Sequence, residues 1–309
     1  MANNNPHIDP SFTILKSSRL KVEIAKPGIP LSVIRFDLNG FVTQVTLDGT
    51  HTFCVPESYI PGVGCQGAGL CDEFNNLIFN GFKEGEEEVF PKLGVGLIKR
   101  QKDVSSGGFK PPEISALFPV ELVTSTDQAS YVVEPLDCKG CALREKKVFR
   151  VQDNQLFIDY TLENVGTRSA LVHEYVHNFI GIDSRPVGPD YILSLPYPVD
   201  LDPATKNFKE PDVLRIEGNT FRFTRTPAPD LDFYCRPQGA IKQEQAQWEL
   251  RNTTSGAGMR EYDDFSPRYV AVWGKEHVIS TEIFIEVTVE PGEKRTWSRR
   301  FEFFDWVVS

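Results

Sequence analysis

Two histidines and a glutamate stand close together in the order H-E-x-x-H. They are His173, Glu174 and His177, within the stretch VHEYVH. On an α-helix this spacing places both imidazoles on one face, where they can bind zinc beside the glutamate that acts as general base of a metalloprotease. The motif therefore raises the question of whether the chain is a zinc protease, and the answer depends on whether this segment is a helix.

The surrounding residues predict a strand instead. The segment from 171 to 182 follows a clear strand and a short turn, and it is rich in β-branched and aromatic residues. In a strand His173 and His177 share a face but lie about 13 Å apart, at a rise of about 3.3 Å per residue. Two histidines that far apart cannot bind one metal, so we disfavour the metalloprotease hypothesis.

The cysteines leave a second zinc hypothesis to consider. Six cysteines in 309 residues are too few for a disulfide scaffold. Cys138 and Cys141 form a C-x-x-C pair, which could in principle close a Cys₄ zinc site with Cys65 and Cys71. The spacing of the second pair is wrong for a zinc knuckle, and buried thiols explain the four residues equally well. We therefore expect no metal site.

The composition excludes several kinds of partner. There are 33 basic and 43 acidic residues, giving a net charge of −10, and the basic residues form no extended cluster that would neutralise nucleic-acid phosphates. The N-terminal residues do not resemble a signal peptide, and no run approaches the roughly 18 apolar residues of a membrane span. We expect a soluble, cytoplasmic protein that binds neither nucleic acid nor membrane.

Alternating apolar and polar residues predict an all-β fold. In the segment 156–163 the residues at 156, 158, 160 and 162 are apolar, and this segment pairs naturally with 147–151 as a hairpin. Almost nothing has helical period, and 23 glycines and 22 prolines punctuate the strands. The remaining predicted strands are 20–24, 40–47, 130–133, 171–182, 222–224, 248–252, 269–273, 283–289 and 296–303.

These strands predict one large antiparallel β-sandwich. No linker, repeat or change of composition divides the chain, so we expect a single domain over residues 1–309, with residues 1–12 as a loosely ordered N-terminal arm. Three long segments, 56–69, 103–112 and 203–212, exceed the usual length of hairpin loops. Loops of that length commonly form the walls of a cleft.

Several segments, in this order, resemble the galactose mutarotase-like (aldose 1-epimerase) superfamily. In that family a strand begins with a catalytic histidine, followed two residues later by an aromatic residue, and His177 and Phe179 fill these positions. The family also has a glutamate on a late strand, then a P-G-E turn and a closing strand, to which Glu282 and residues 291–303 correspond. The resemblance implies the family's large β-sandwich, the supersandwich.

The resemblance also implies residues that contact the sugar. Arg100 lies where aldose epimerases carry a glycine-and-arginine segment that lines the site. Asp230 and Asp232 lie where the family often has a sugar-binding acid, although an exposed turn explains them slightly better. The family's H-G-G histidine has no counterpart in this chain, because the nearest segment reads GGFKPP at 107–112. Lys110 or His173 would then substitute for it in binding, or the substrate and the reaction differ.

Interconversion of sugar anomers needs one acid and one base. The acid protonates the ring oxygen while the base removes a proton from the anomeric hydroxyl, so that the ring opens and closes again on the other face. An imidazole with an ordinary pKa of about 6.5 suits the first role and a carboxylate the second. The resemblance assigns them to His177 and Glu282, about one sugar ring apart across a cleft, and the scheme needs no cofactor. Glu73, in a polar, glycine-flanked segment, is a further candidate for the cleft.

Three functions remain open on the sequence. The first is an aldose 1-epimerase-like isomerase acting on a small carbohydrate. The second is a carbohydrate-binding protein without turnover, which the missing H-G-G histidine favours. The third is a different sugar isomerase or a lyase on the same fold. Fold alone does not choose between them.

Overall fold

The chain folds almost entirely into antiparallel strands, as the alternating pattern predicts. The computed structural model describes residues 11–28, 34–82, 88–99, 113–239 and 246–308. Its one helical element within these ranges is a short 3₁₀ turn, η1 (Ile182–Ser184). None of the helical structure in these ranges is long and apolar enough to span a bilayer. The predicted all-β class is therefore confirmed.

The first large sheet carries the candidate site. It contains ten strands: β1 (Phe12–Lys16), β2 (Leu20–Ala25), β3 (Phe41–Leu47), β4 (His51–Thr52), β5 (Gly69–Phe79), β13 (Ala170–Phe179), β16 (Asn207–Phe208), β19 (Phe233–Cys235), β23 (Tyr269–Lys275) and β24 (Val278–Val289). Their order across the sheet is β1-β2-β3-β5-β13-β24-β23-β19-β16, and β4 pairs with β3. Strands β13 and β24 are therefore central in the sheet.

The second large sheet also has ten strands. They are β9 (Val120–Thr124), β10 (Gln128–Val133), β11 (Leu143–Gln152), β12 (Gln155–Asn164), β14 (Tyr191–Ser194), β17 (Leu214–Glu217), β18 (Thr220–Phe223), β21 (Trp248–Asn252), β22 (Ala257–Asp263) and β25 (Lys294–Asp305). Their order is β17-β18-β14-β21-β22-β25-β12-β11-β10-β9. Two small sheets complete the structure, one of β6 (Val89–Lys92), β7 (Gly96–Lys99) and β8 (Ile114–Leu117), the other of β15 (Asp200–Leu201) and β20 (Pro237–Gln238).

The main core lies between the two large sheets. On β12 the apolar residues at 156, 158, 160 and 162 are buried, as their alternation predicts. Tyr160 stacks on Trp297 of β25, with the ring centroids 5.1 Å apart and the planes at 4°. This packing removes two of the chain's largest side chains from water, which is the main favourable term in forming a sandwich.

Two buried cations also connect the sheets, and the sequence analysis did not predict them. Lys147 on β11 contacts Asp72 on β5 at 2.8 Å, and Arg299 on β25 contacts Glu174 on β13 at 2.8 Å. All four charged groups are almost completely buried. Each cation also contacts at least one further buried carboxylate, so each cluster of charges constrains how the two sheets pack.

Some predicted boundaries differ from the structure. Strand β1 begins at Phe12, the last residue of the predicted arm, and residues 1–10 of that arm lie outside the described part of the chain. The predicted strand 171–182 ends at Phe179, because Gly181 and the left-handed Asp183 (φ 53°) turn the chain into η1. The predicted loop 203–212 contains β16, and the predicted loop 103–112 is not described.

Candidate functional site

The H-E-x-x-H motif lies on strand β13 and not on a helix. Successive side chains along a strand point to opposite faces. His173 and His177 therefore point away from the main core, whereas Glu174 points into it and pairs with Arg299. This arrangement confirms the strand prediction and gives the three motif residues separate surroundings, unlike the single helix face that the zinc motif requires.

The register of β13 with β24 creates two His–Glu pairs on the same face. His173 stands opposite Glu286, and the same register, continued as far as an isolated bridge beyond it, places His177 opposite Glu282. In the first pair Nε2 lies 2.6 Å from Oε2, and in the second Nε2 lies 3.2 Å from Oε1. The first pair is partly exposed, but in the second the histidine is only 4% and the glutamate 5% exposed.

The spacing of the buried pair differs from the one expected. A separation of about one sugar ring was predicted, but the imidazole of His177 and the carboxyl group of Glu282 are in direct contact. Both groups are buried, and each satisfies part of the hydrogen bonding that the other would lose without a partner. The contact does not prevent the expected chemistry, because the ring oxygen and the anomeric hydroxyl are bonded to the same carbon. Adjacent acid and base groups can reach both oxygens from one side.

A serine that the sequence analysis missed connects the two members of the pair. The Oγ atom of Ser280 lies 3.1 Å from Nδ1 of His177 and 3.2 Å from Oε1 of Glu282. It also accepts a hydrogen bond from the backbone N–H of Asn178 at 3.1 Å. A hydroxyl has one proton to donate. If Ser280 donates it to Glu282, Nδ1 must carry the proton of the neutral imidazole, and Nε2 is left to exchange a proton.

Aromatic rings enclose the imidazole of His177. Phe179 stacks on it, with centroids 3.9 Å apart and planes at 6°, and Trp273 and Phe36 contact it edge-on at 5.4 and 6.0 Å. Burial lowers the pKa of His177 well below its ordinary value, and the positive charge of Arg35 lowers it further. The imidazole is therefore neutral in the free protein near neutral pH.

The neighbouring carboxyl group shifts in the opposite direction. Burial raises the pKa of Glu282 to about 8, against the lowering effects of Arg35 and of the hydrogen bond from Ser280. At neutral pH this carboxyl group is protonated. The buried pair consequently holds one transferable proton, which resides on Glu282 in the free protein.

A second polar group stands beside the pair and includes the predicted cleft residue Glu73. The Nε of Arg35 donates to Oε2 of Glu73 at 2.7 Å, and Nη2 of Arg35 donates to the hydroxyl of Tyr175 at 2.8 Å. The hydroxyl of Tyr175 donates in turn to Glu73. Burial raises the pKa of Tyr175 well above its usual range, so this phenol stays a neutral donor. The group supplies fixed donors and acceptors next to His177.

Two of the other predicted sugar-binding residues, Asp230 and Asp232, are not gathered at the pair. Asp230 lies on an exposed turn with φ 61°, and Asp232 precedes β19. Neither has a described contact with His177 or Glu282, because both precede Phe233, which pairs with Gly274, three residues along β23 from the partner of Glu282. Arg100 and Lys110 lie outside the described residues.

The residues that the sequence analysis missed differ in the signal they carry. Ser280 lies two positions before Glu282 on the same strand face, so alternation alone could have found it. Arg35 reaches the site from a segment before β3, and Trp273 reaches it from β23. Their presence depends on tertiary packing, which no local pattern shows.

The described cysteines do not support the Cys₄ alternative. The thiol of Cys65 accepts from Arg35, that of Cys71 donates to the carbonyl of His177, and that of Cys138 donates to the carbonyl of Val89, each at 3.6 Å. The thiols therefore make separate contacts. Across the described ranges, no group of three histidine, cysteine or acidic side chains converges in a way that could hold a metal.

Comparison with known proteins identifies the fold. No protein-family model matches the chain, and no curated protein matches its sequence. Among solved structures, a galactose mutarotase-like protein from Lactobacillus casei superposes with a TM-score of 0.55 at 15% identity, covering 95% of this chain and 100% of that one. A galactose mutarotase-like protein from Clostridium acetobutylicum gives 0.56 at 10% identity, covering 95% of each chain.

A third solved structure agrees. The aldose epimerase homologue from C. elegans superposes with a TM-score of 0.54 at 9% identity, covering 96% of this chain and 99% of that one. At such identities the likeness shows the fold alone. The chain has the fold of the galactose mutarotase-like proteins.

Proposed function

We propose that this protein is an aldose 1-epimerase-like isomerase, which interconverts the anomers of a small sugar by acid/base ring opening at His177 and Glu282. The observation that carries the proposal is the buried contact of 3.2 Å between these two side chains on a central pair of strands. Solved proteins with this fold are named as galactose mutarotase-like proteins and an aldose epimerase homologue. An imidazole and a carboxyl group in contact provide the acid and the base that the reaction needs.

The proposed reaction transfers two protons and breaks one carbon–oxygen bond. In the ring-opening step the imidazolium of His177 protonates the ring oxygen while the carboxylate of Glu282 removes the proton of the anomeric hydroxyl. The bond between the ring oxygen and C1 breaks, and the C1–O bond becomes a carbonyl. Rotation about the C1–C2 bond and the reverse proton transfers then close the ring on the other face, so that neither residue is consumed.

The pair needs one proton in total, and the pKa shifts supply that number near neutral pH. In the free protein the proton resides on Glu282 and must pass to Nε2 of His177, a transfer for which the 3.2 Å contact is suitable. Ring opening returns it to Glu282, so the open-chain stage has the same proton distribution as the free protein. Hydrogen bonding through Ser280 keeps Nε2 as the exchanging atom throughout.

The surroundings support a small carbohydrate as substrate. Trp273 provides an aromatic ring of the kind that packs against sugars, and Tyr175 provides a hydroxyl group that can hydrogen-bond to them. The Arg35–Glu73 pair provides a fixed donor and acceptor. The scheme needs no cofactor. We further propose that the protein acts as a single domain in the cytoplasm.

A sugar-binding protein without turnover is the second candidate. The observation that favours it is the near-complete burial of His177 and Glu282, which satisfy each other in the free protein. The His177–Glu282 contact must become accessible to a bound sugar before these side chains can exchange protons with that sugar. A site that never does so would bind without catalysis.

Exchange NMR separates the two candidates. Saturation transfer between the α and β anomeric protons is measured over a panel of aldoses with wild-type protein, His177→Ala, Glu282→Gln and His173→Ala. We expect faster exchange with wild type and His173→Ala, and a loss of about 10²–10⁴-fold in kcat for the two site variants, the range typical of a positioned acid or base. The His173 variant removes the equivalent histidine of the outer pair, and full activity in this variant would also rule out His173 as the substitute for the H-G-G histidine.

Two results would count against the isomerase. Binding with no acceleration of exchange by any sugar would favour the second candidate. Full activity in either site variant would remove the assigned acid or base.

A further inference from the structure

The row of residues that contains the acid/base pair continues to an arginine two strands away. Glu282 pairs with Ala271 of the neighbouring strand β23. The register of β19 with β23, continued by one residue, places Arg236 beside Ala271. Adjacent strands are about 4.8 Å apart, so the backbones of Glu282 and Arg236 are separated by about 10 Å. One short side chain, that of Ala271, lies between them.

The guanidinium of Arg236 is held in place by neutral side chains, and the nearby carboxylate of Asp202 favours its charged form without a described ion pair. Its Nε donates to the hydroxyl of Tyr234 at 2.8 Å, and its carbon centre lies 4.2 Å from the ring centroid of Tyr269. Its remaining N–H groups have no carboxylate partner in the part of the chain that the structure describes. The neighbouring Arg268 differs, since it is paired with Glu286 at 2.6 Å. Arg236 therefore offers a preorganised, unpaired fork of donors.

A cavity opens beside this guanidinium. Its volume is about 540 Å³, within the range of small-molecule sites, and its lining includes Asp202, Arg236, Gln238, Ser266, Arg268 and Tyr269. Gln238 and Ser266 add neutral donors. The cavity thus joins a guanidinium that has no described ion pair to polar groups at the edge of the face that carries the His177–Glu282 pair.

The acid in the lining limits the charge of the ligand. The carboxylate of Asp202 accepts from the backbone N–H of Ala204 at 2.9 Å, which leaves its negative charge beside the cavity. A dianion such as a phosphate would be repelled more strongly by Asp202 than a singly charged group would. A carboxylate also matches the arginine fork with two parallel hydrogen bonds.

We propose that this cavity binds the carboxylate of a sugar acid whose anomeric carbon lies at the His177–Glu282 pair. Arg236 receives the carboxylate, and Gln238 and Ser266 hydrogen-bond to it or to the neighbouring hydroxyl. The substrate class is then an aldose with a carboxylate at the end remote from C1, a uronic acid. This inference rests on the proposed function for the position of C1, but the carboxylate site can be tested by binding alone.

The test compares D-glucuronate and D-galacturonate with glucose, galactose and glucose 6-phosphate. For wild type we expect the largest kcat/KM for anomer exchange with a uronate. For Arg236→Gln we expect the ratio of uronate to neutral-sugar kcat/KM to fall about 10–100-fold, the loss of a charge-assisted bidentate contact. Arg236→Lys retains the charge without the fork and should give an intermediate ratio. Arg215→Gln, on the exposed face of β17, is the matched control and should leave the ratio unchanged.

Separate outcomes identify which proposal fails. Calorimetric binding of uronate that is lost in Arg236→Gln, without any anomer exchange, supports the carboxylate site and overturns the isomerase. Anomer exchange that is equal for uronates and neutral sugars, or a ratio that does not change in Arg236→Gln, overturns the carboxylate site and leaves the isomerase standing. A preference for glucose 6-phosphate over the uronates also overturns it, since the cavity would then accept a dianion.

Discussion

At the scale of single residues, the proposed function depends on one proton shared between His177 and Glu282. The contact of 3.2 Å and the opposite pKa shifts make the two groups a unit, so a pH titration reports the pair and not either side chain alone. Between the two shifted pKa values the pair holds one proton. Below the lower value it holds two, and above the upper value it holds none.

The first prediction is therefore a pH profile. We expect kcat/KM for anomer exchange to fall tenfold per pH unit above about 8, where Glu282 loses the shared proton. The acidic limb should lie well below pH 6.5, because burial lowers the pKa of His177. Exchange NMR from pH 5 to 10 measures the basic limb and tests whether the rate stays level through pH 6.5. A profile that falls below pH 7 as an ordinary histidine becomes protonated would show that the pair does not share a proton in this way.

The second prediction concerns the tautomer of His177. Ser280→Ala removes the acceptor at Nδ1, so both neutral tautomers become accessible, and we expect kcat to fall about 10–100-fold, the effect of a buried hydrogen bond of 1–3 kcal/mol. Imidazole ¹⁵N shifts measure the tautomer directly, with Nδ1 protonated in wild type and a mixture in the variant. Ser280→Thr keeps the hydroxyl and should restore both the tautomer and most of kcat. A variant that loses activity with an unchanged tautomer would limit Ser280 to a structural role.

At the scale of elements, the strand face that carries the site could be predicted from sequence. How deeply the side chains on that face are buried could not. Alternation correctly placed His177 on the opposite face from Glu174 and Glu282 on the opposite face from Ile283, because a strand has a period of two. The same alternation does not show whether the outer face of the strand is covered by other residues or exposed to water. Glu282 is buried by the neighbouring strands and by the segment before β3 that contains Arg35. The position of that segment depends on strand pairing between residues far apart in the sequence.

The buried ion pair on the inner face of β13 gives the third prediction, for stability. Burial raises the pKa of Glu174 to about 7, so the folded state binds its proton more tightly than the unfolded state does. The contribution of this proton to the free energy of unfolding is fully present below the unfolded pKa of about 4.5. It is lost as pH rises through about 7. In Glu174→Gln we expect the free energy of unfolding to decline less between pH 5.5 and 8 than in wild type.

Urea unfolding at several pH values measures this difference. Glu163→Gln is a suitable control, because hydrogen bonding from Arg144 lowers the pKa of that half-buried acid, which therefore stays charged between pH 5.5 and 8. The control should keep the wild-type slope. An equal slope in Glu174→Gln would show that this acid is not protonated by burial.

At the scale of the whole molecule, the two sheets are joined by apolar packing and by buried charges. Most predicted strands correspond to strands of the structure because their alternation reports burial on one side. The Lys147 and Arg299 pairs were not predictable, since no local pattern distinguishes a charge facing the core from one facing water. The resemblance identified the fold, but it did not identify Arg236. The pairing of β19 with β23 places that residue near the site.

The fourth prediction tests whether the sandwich unfolds as one unit, as we propose. Trp297 lies between the sheets on Tyr160, and Trp297→Ala should lower the free energy of unfolding by about 3–5 kcal/mol. Val123→Ala, at a side chain 60% exposed, should change it by less than about 0.5 kcal/mol. Urea transitions followed by circular dichroism and by fluorescence should coincide in both variants. Two separate transitions would indicate independent units.

The repeated His–Glu pairing on β13 and β24 provides an internal standard for spectroscopy. The outer pair, His173 with Glu286, shares the strand, the partner type and the register of the inner pair, and differs in its contact with water. The protein has five histidines, so the imidazole NMR signals of His173 and His177 can be compared in one sample. They report the same His–Glu arrangement in a partly exposed and in a buried position. A sugar that occupies the inner pair should shift the His177 signal, while His173 calibrates pH, temperature and ionic strength.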